Sequence, residues 1–97
     1  MKLKVDGLNI EWDIQKNSLN IKKHHINFKD AARIFFDENR VEIYDSLHSE
    51  LEDRYITIGM VDEILFVVYT ERLDSLRIIS ARIATSSEKE LYYGKNR

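Results

Sequence analysis

Between Arg54 and Ile83 the chain carries three strand-length stretches, residues 54–60, 64–72 and 77–83, joined by two connections of only a few residues. A parallel pair of strands needs a crossover of roughly a dozen residues or more. These connections are far shorter, so the stretches run antiparallel. The middle one holds Ile64, Leu65, Phe66, Val67, Val68 and Tyr69 in sequence, which places it at the centre of a sheet.

Helical patterns precede this sheet. Residues 2–12 read as a strand or hairpin, with Asp6-Gly7 as the turn. Asp13 caps a helix over residues 14–24, in which Ile14, Ser18 and Ile21 share one face. Asn27 caps a second helix, where Phe28, Ala31, Ala32, Phe35 and Phe36 recur at helical spacing. Residues 41–44 alternate as a short strand, residues 45–53 form a polar connection, and Thr85 to Glu88 is a capping box opening a short last helix. Strands clustered after helices predict an α+β fold. Its antiparallel sheet carries two N-terminal helices on one face and a short C-terminal helix.

At 97 residues, 43% hydrophobic and 33% charged, the chain is expected to form one globular domain over residues 1–97. No apolar run approaches the roughly 20 residues that span a bilayer, and the N-terminus lacks a signal pattern. The expectation is a cytoplasmic protein with no membrane partner. The absence of cysteine excludes disulfides and thiolate metal sites, and the histidines match no zinc spacing, so no metal or cofactor is expected. A net charge of -2 is unlike a strongly basic nucleic-acid binder, although the segment from Arg72 onward is basic while residues 37–62 are acidic.

Taking Val61-Asp62 and Asp74-Ser75 as two-residue turns sorts the sheet into two faces. Tyr55, Thr57, Phe66, Val68, Thr70, Ile79, Ala81 and Ile83 form the core face. Arg54, Ile56, Tyr69, Glu71, Ser80 and Arg82 form a polar one, with Arg54, Tyr69 and Ser80 side by side. Arg72 and Arg77 project from the core side at the hairpin tip. Arginines beside a tyrosine suit an anionic phosphodiester, since guanidinium forks bind phosphate oxygens in pairs. Glu71 is a candidate base; a solvated ion-pair ladder is the alternative. His24 and His25 diverge by about 100° on a helix and do not chelate one ion. His24 is a candidate acid or base, against the alternative of a helix C-terminus satisfied by imidazole. His48 stands isolated in the polar connection. Trp12, Tyr92 and Tyr93 read as packing residues.

Ile10-Glu11-Trp12-Asp13, Lys16-Asn17, Asn20 and Lys23-His24 resemble the N-terminal signature of BrnT toxins, as do Ile26, Phe28, Ala31-Ala32 and Phe35. The stretches 54–59, 67–72 and 77–82, then Ala84-Thr85, Glu88 and Tyr92, continue the resemblance in order over residues 10–92. Two positions depart from it. His25 stands where the family usually has glycine, so the turn there must differ or strain, and Ile83 replaces an arginine.

The resemblance implies a RelE-like fold and a type II toxin–antitoxin role. It implies an endoribonuclease that needs no metal, cleaves by 2′-hydroxyl attack on the adjacent phosphate, and blocks translation. A BrnA-type antitoxin would neutralise it and alone contact operator DNA. On this reading Arg54 and Arg82 hold the phosphate, Tyr69 positions it, Glu71 or His24 moves a proton, and Arg72 and Arg77 contact RNA. The alternative is a catalytically weak or inert module that pairs with a basic antitoxin through acidic residues 50–53 and acts mainly in operon autoregulation.

Overall fold

The structure, a computed structural model, describes residues 1–96; Arg97 lies outside them. A hairpin of β1 (Lys2–Val5) and β2 (Leu8–Trp12) leads into helices α1 (Ile14–His24) and α2 (Phe28–Ala31). A 3-10 turn (Ala32–Phe36) extends α2. Strands β3 (Val41–Tyr44), β4 (Arg54–Val61), β5 (Glu63–Glu71) and β6 (Leu76–Ile83) follow, then α3 (Ser86–Lys95). The strands form one sheet in the order β1-β2-β6-β5-β4-β3. All its pairs are antiparallel except β2 with β6, which run parallel. The expectation of a wholly antiparallel sheet is corrected there. The long chain between β2 and β6 supplies the crossover that parallel pairing needs. No helix among the described residues is long and apolar enough to cross a membrane.

The local signals act as read. Asp6 and Gly7 both take positive φ in a two-residue turn between the paired Val5 and Leu8. The Asp13 carboxylate accepts from the Lys16 N–H, and Asn27 accepts from Lys29. At Thr85 both halves of the capping box are made. One expectation about the second helix fails. Ile34 is buried and Phe36 is largely exposed, because the tightening to about three residues per turn stacks Ile34 over Ala31 and swings Phe36 outward.

The face of α1 is also inverted. Ile14 is 65% exposed and Ile21 faces water. The inward face is polar: Asn17, Asn20 and His24, at i, i+3 and i+7. Its reason lies in the sheet. β2 pairs with β6 only as far as Ile78, so the outer edge of β6 beyond that point lacks a neighbouring strand. Asn20 takes the strand's place. Its Nδ2 donates to the Ala81 carbonyl at 2.8 Å, and its Oδ1 accepts from the Ala81 N–H at 3.2 Å. Nδ2 also donates to Ile26 O at 3.0 Å, fixing the chain beyond the helix. Asn17 ties the next helix in place by accepting from the Phe28 N–H at 2.9 Å.

The larger core lies between the sheet and α2 with its 3-10 turn, built on Trp12, Phe28, Ile34, Phe35, Val67 and Ile78. Gly59 permits this approach, since a Cβ there would stand 2.7 Å from Ile34 Cγ1. A smaller cluster of Ile58, Ile64, Ala84 and Tyr92 seats α3 on the opposite face. Asp37 joins the layers. Its Oδ2 accepts from the Met60 N–H at 2.8 Å and the Tyr92 hydroxyl at 2.7 Å.

Asn20→Ala strips two buried backbone groups of Ala81 of their partner and should cost about 3 kcal/mol, read by chemical denaturation. Asn20→Asp, which cannot donate to the carbonyls, should recover only part of that loss. His25 holds φ 60° at the end of α1, so the turn is the ordinary left-handed one, kept under strain. His25→Gly should therefore raise stability by about 0.5 kcal/mol, the relief of strain less the entropy of glycine, seen as a higher Tm.

Candidate functional site

The face of the sheet away from α2 is only partly covered by α3. The remainder is an open groove of about 410 Å³. Its floor is Ile56, Phe66, Val68 and Ile79, and its polar lining is Arg54, Ser80, Arg82, His48 and Asp45.

Which side chains reach it is decided by two single-residue irregularities. Between β4 and β5 only Asp62, at φ 62°, separates the paired Val61 and Glu63. Between β5 and β6 a bulge shifts the register after Val68 ↔ Ser80, so that Tyr69 pairs with Ile78. Each shift flips one flanking strand relative to β5. The two flips cancel between β4 and β6, and Arg54, Ile56, Ser80 and Arg82 still share a face. The contribution of β5 changes along its length, and that of β6 changes at and before the bulge, where Ile79, expected on the core face, joins the groove floor. Phe66, Val68 and Thr70 face the groove, and Tyr69 and Glu71 face the opposite side.

Tyr69 is therefore not beside Arg54. It is 6% exposed, packed against Phe35 and Tyr55. Its hydroxyl donates to Glu42 Oε2 at 2.6 Å. Burial and that bond push its pKa up, so it stays neutral and committed to the core. Glu71 is exposed on the same side, close enough to Tyr55 to act on its titration.

Arg82 is held at one end of the groove. Its guanidinium makes a bidentate pair with Glu88 at 2.7 and 2.9 Å, and lies 4.0 Å over the Phe66 ring. Glu88 also accepts from the Thr85 N–H, so one carboxylate caps α3 and fixes the arginine. These bonds hold the Glu88 pKa down to about 2. His24 lies beyond the β6 edge. Burial, with the charges of Lys23 and Arg82, pushes its pKa below the ordinary value and favours neutral imidazole.

Arg72 and Arg77 do not project from the core side. Both turn to the groove side and converge on Glu11 at 3.6 and 3.5 Å, with Lys2 at 3.9 Å. Glu52 takes a second fork of Arg72 at 3.1 Å. Glu11, nearly buried, is thus matched by three cations, a role that its place in the N-terminal signature did not reveal.

Arg54 differs from Arg72, Arg77 and Arg82: among the described residues its guanidinium has no acidic partner. Its backbone is anchored to the loop of residues 45–53. Arg54 O accepts from the Asp45 N–H at 2.9 Å, and Arg54 N–H donates to Ser49 Oγ at 2.9 Å. Arg54 and Arg82 lie four residues and two strands apart, about 16 Å between backbones by ordinary strand spacings. They serve opposite ends of the groove rather than one point.

A family model described as "Ribonuclease toxin, BrnT, of type II toxin-antitoxin system" matches residues 12–88. The chain belongs to the BrnT family. Its fold is similar to the crystal structure of the Brucella abortus ribonuclease toxin BrnT, with a TM-score of 0.61 and 26% identity. The likeness covers 79% of this chain and 96% of that one. No curated protein matches the chain. That family is one of ribonuclease toxins of type II toxin–antitoxin systems.

Glu88→Gln keeps a residue able to cap α3 in this BrnT-family chain but removes the charge that holds Arg82. Because the folded Glu88 pKa is depressed, its contribution is complete above about 4.5 and fades as pH falls toward about 2. The pair retains contact with solvent, so the substitution should cost only about 1 kcal/mol at neutral pH. Stability should then depend less steeply on pH between 4.5 and 2, as followed by acid titration of denaturation midpoints. The share due to Asp37, whose carboxyl is also held low despite burial, should persist.

Proposed function

We propose that the protein is an endoribonuclease that works without a metal ion, cleaves RNA in the groove beside Arg54, and thereby blocks translation. The observation that carries this reading is the unpartnered Arg54 guanidinium on an open groove whose apolar floor suits a base. An arginine with no carboxylate to satisfy is free to take a phosphate, and can neutralise the charge that builds on it in the transition state. Arg82, pinned by Glu88, would contact the RNA backbone farther along. His24 adds a neutral imidazole near that end. Tyr69 and Glu71 lie on the wrong face to take part. Arg72 and Arg77 border the site but are largely spent on Glu11 and Glu52, so they would steer RNA more than grip it.

The inhibitory partner we propose is a BrnA-type antitoxin, which would also carry the contacts to operator DNA. Toxin, antitoxin and RNA would meet in the cytoplasm. A second reading has one observation in its favour. Three of the four arginines on this face are neutralised within the chain, which fits an inert module that binds the antitoxin through exposed Leu47 and Leu51 and the acidic residues around them.

One assay separates the two. Purified protein should cleave messenger RNA equally well with and without a chelator, and Arg54→Ala should lower the rate by about 100-fold, the usual cost of one charge-stabilising group. Intact RNA combined with tight antitoxin binding would favour the inert module. Cleavage abolished by the chelator would overturn the metal-free chemistry.

A further inference from the structure

The loop of residues 45–53 is polar and lacks regular structure, yet one histidine in it is placed with care. His48 lines the groove together with Arg54 and Ser80. Its Nδ1 stands 2.9 Å from Asp45 Oδ2 and 3.1 Å from Oδ1. A carboxylate can only accept there, so in neutral His48 the proton sits on Nδ1 and the Nε2 lone pair is free. This is the arrangement of a base oriented by an acid.

The loop is also tied to the arginine. Ser49 Oγ donates to Asp45 O at 2.6 Å and accepts from the Arg54 N–H at 2.9 Å, while the Asp45 N–H donates to Arg54 O at 2.9 Å. Asp45, which aims the imidazole, and Arg54, which would receive the phosphate, are thus clamped to each other through three hydrogen bonds. A loop serving only as a connection has no need of this. His48 itself is accessible, its side chain 65% exposed, and can meet a substrate without rearrangement.

Resting on the ribonuclease reading above, we infer that His48 is the general base of the cleavage, with Asp45 as its positioning residue. His48 Nε2 takes the proton of a ribose 2′-hydroxyl. The 2′ oxygen forms a bond to the adjacent phosphorus as the bond from phosphorus to the 5′ oxygen breaks. That oxygen leaves with a proton from water, giving a 2′,3′-cyclic phosphate and a 5′-hydroxyl end. Arg54 offsets the charge on the phosphoryl oxygens while this occurs. His48 then returns its proton to solvent, and no oxidant or cofactor is consumed.

Single-turnover cleavage of a short RNA by the full-length protein, measured from pH 5 to 8.5, tests this. The charged groups facing His48 across its two grooves are Asp45, Glu50, Glu52, Arg54 and Arg82. The parent rate should rise with pH along a single limb, as a histidine base requires. His48→Ala should lose about 100-fold or more and lose that limb. Added imidazole should restore part of the rate. Asp45→Asn should lower the turnover rate about 10-fold at unchanged KM, as expected of a misaligned base, and imidazole should not rescue it. Both variants should still bind a 2′-O-methyl RNA, so that the loss of rate is a loss of chemistry and not of binding. An active parent whose His48→Ala variant cleaves at full rate with an unchanged pH profile overturns this inference and leaves the ribonuclease reading standing. A parent that leaves RNA intact overturns both.

Discussion

The hydrogen bonds between Asn20 and the backbone of Ala81 are the constraint on which the rest of the structure depends. Strand β6 is paired on one side along its length but loses β2 on the other after Ile78. Buried backbone groups left open there would each cost about 1–3 kcal/mol. The carboxamide of Asn20 presents one acceptor and one donor, as a neighbouring strand would. This binds α1 to the sheet through a polar contact and frees its outer face of any apolar requirement, which is why Ile14 and Leu19 are exposed. It also holds the half of β6 that carries Ser80 and Arg82 to the groove, and brings His24 within electrostatic reach of Arg82.

Electrostatics on the groove side follow from where the acids stand. Glu88 holds Arg82 flat over Phe66, and Glu11 gathers Arg72, Arg77 and Lys2. The net charge of -2 is thus compatible with a local phosphate site, because the balance concerns groups already paired off. Arg54 stands outside these pairs, at the end of the groove where the loop of residues 45–53 returns to the sheet. Fixed, partnered arginines shape the walls, and one unpartnered arginine offers its charge to a ligand.

Much of this was legible in the amino-acid order. Asp6-Gly7, Asp13, Asn27 and the Thr85 capping box act where their chemistry predicts, and the strand stretches lie where alternation puts them. Register was not legible, because alternation is silent about a lone left-handed Asp62 or a bulge near Ile79. Each displaces the pairing by one residue, and their cancellation kept Arg54 and Arg82 together while exchanging Tyr69 for Val68 and Phe66. Periodicity also misjudged α1, whose buried face is made of asparagines. His48 was passed over because it looked isolated. The signal available was Asp45 three residues before it, followed by Ser49, the spacing of a self-supporting polar turn.

The central claim is that RNA lies in the groove between Arg54 and Arg82 rather than on the α2 side of the sheet. Backbone amide resonances of the protein, followed while a 2′-O-methyl RNA that cannot be cleaved is added, test it directly. The account predicts shifts at Arg54, Phe66, Ser80, Arg82 and residues 45–49, with Tyr69, Phe35 and the outer face of α1 unmoved. Shifts gathered instead around Tyr55, Glu71 and α1, with the groove silent, would contradict it.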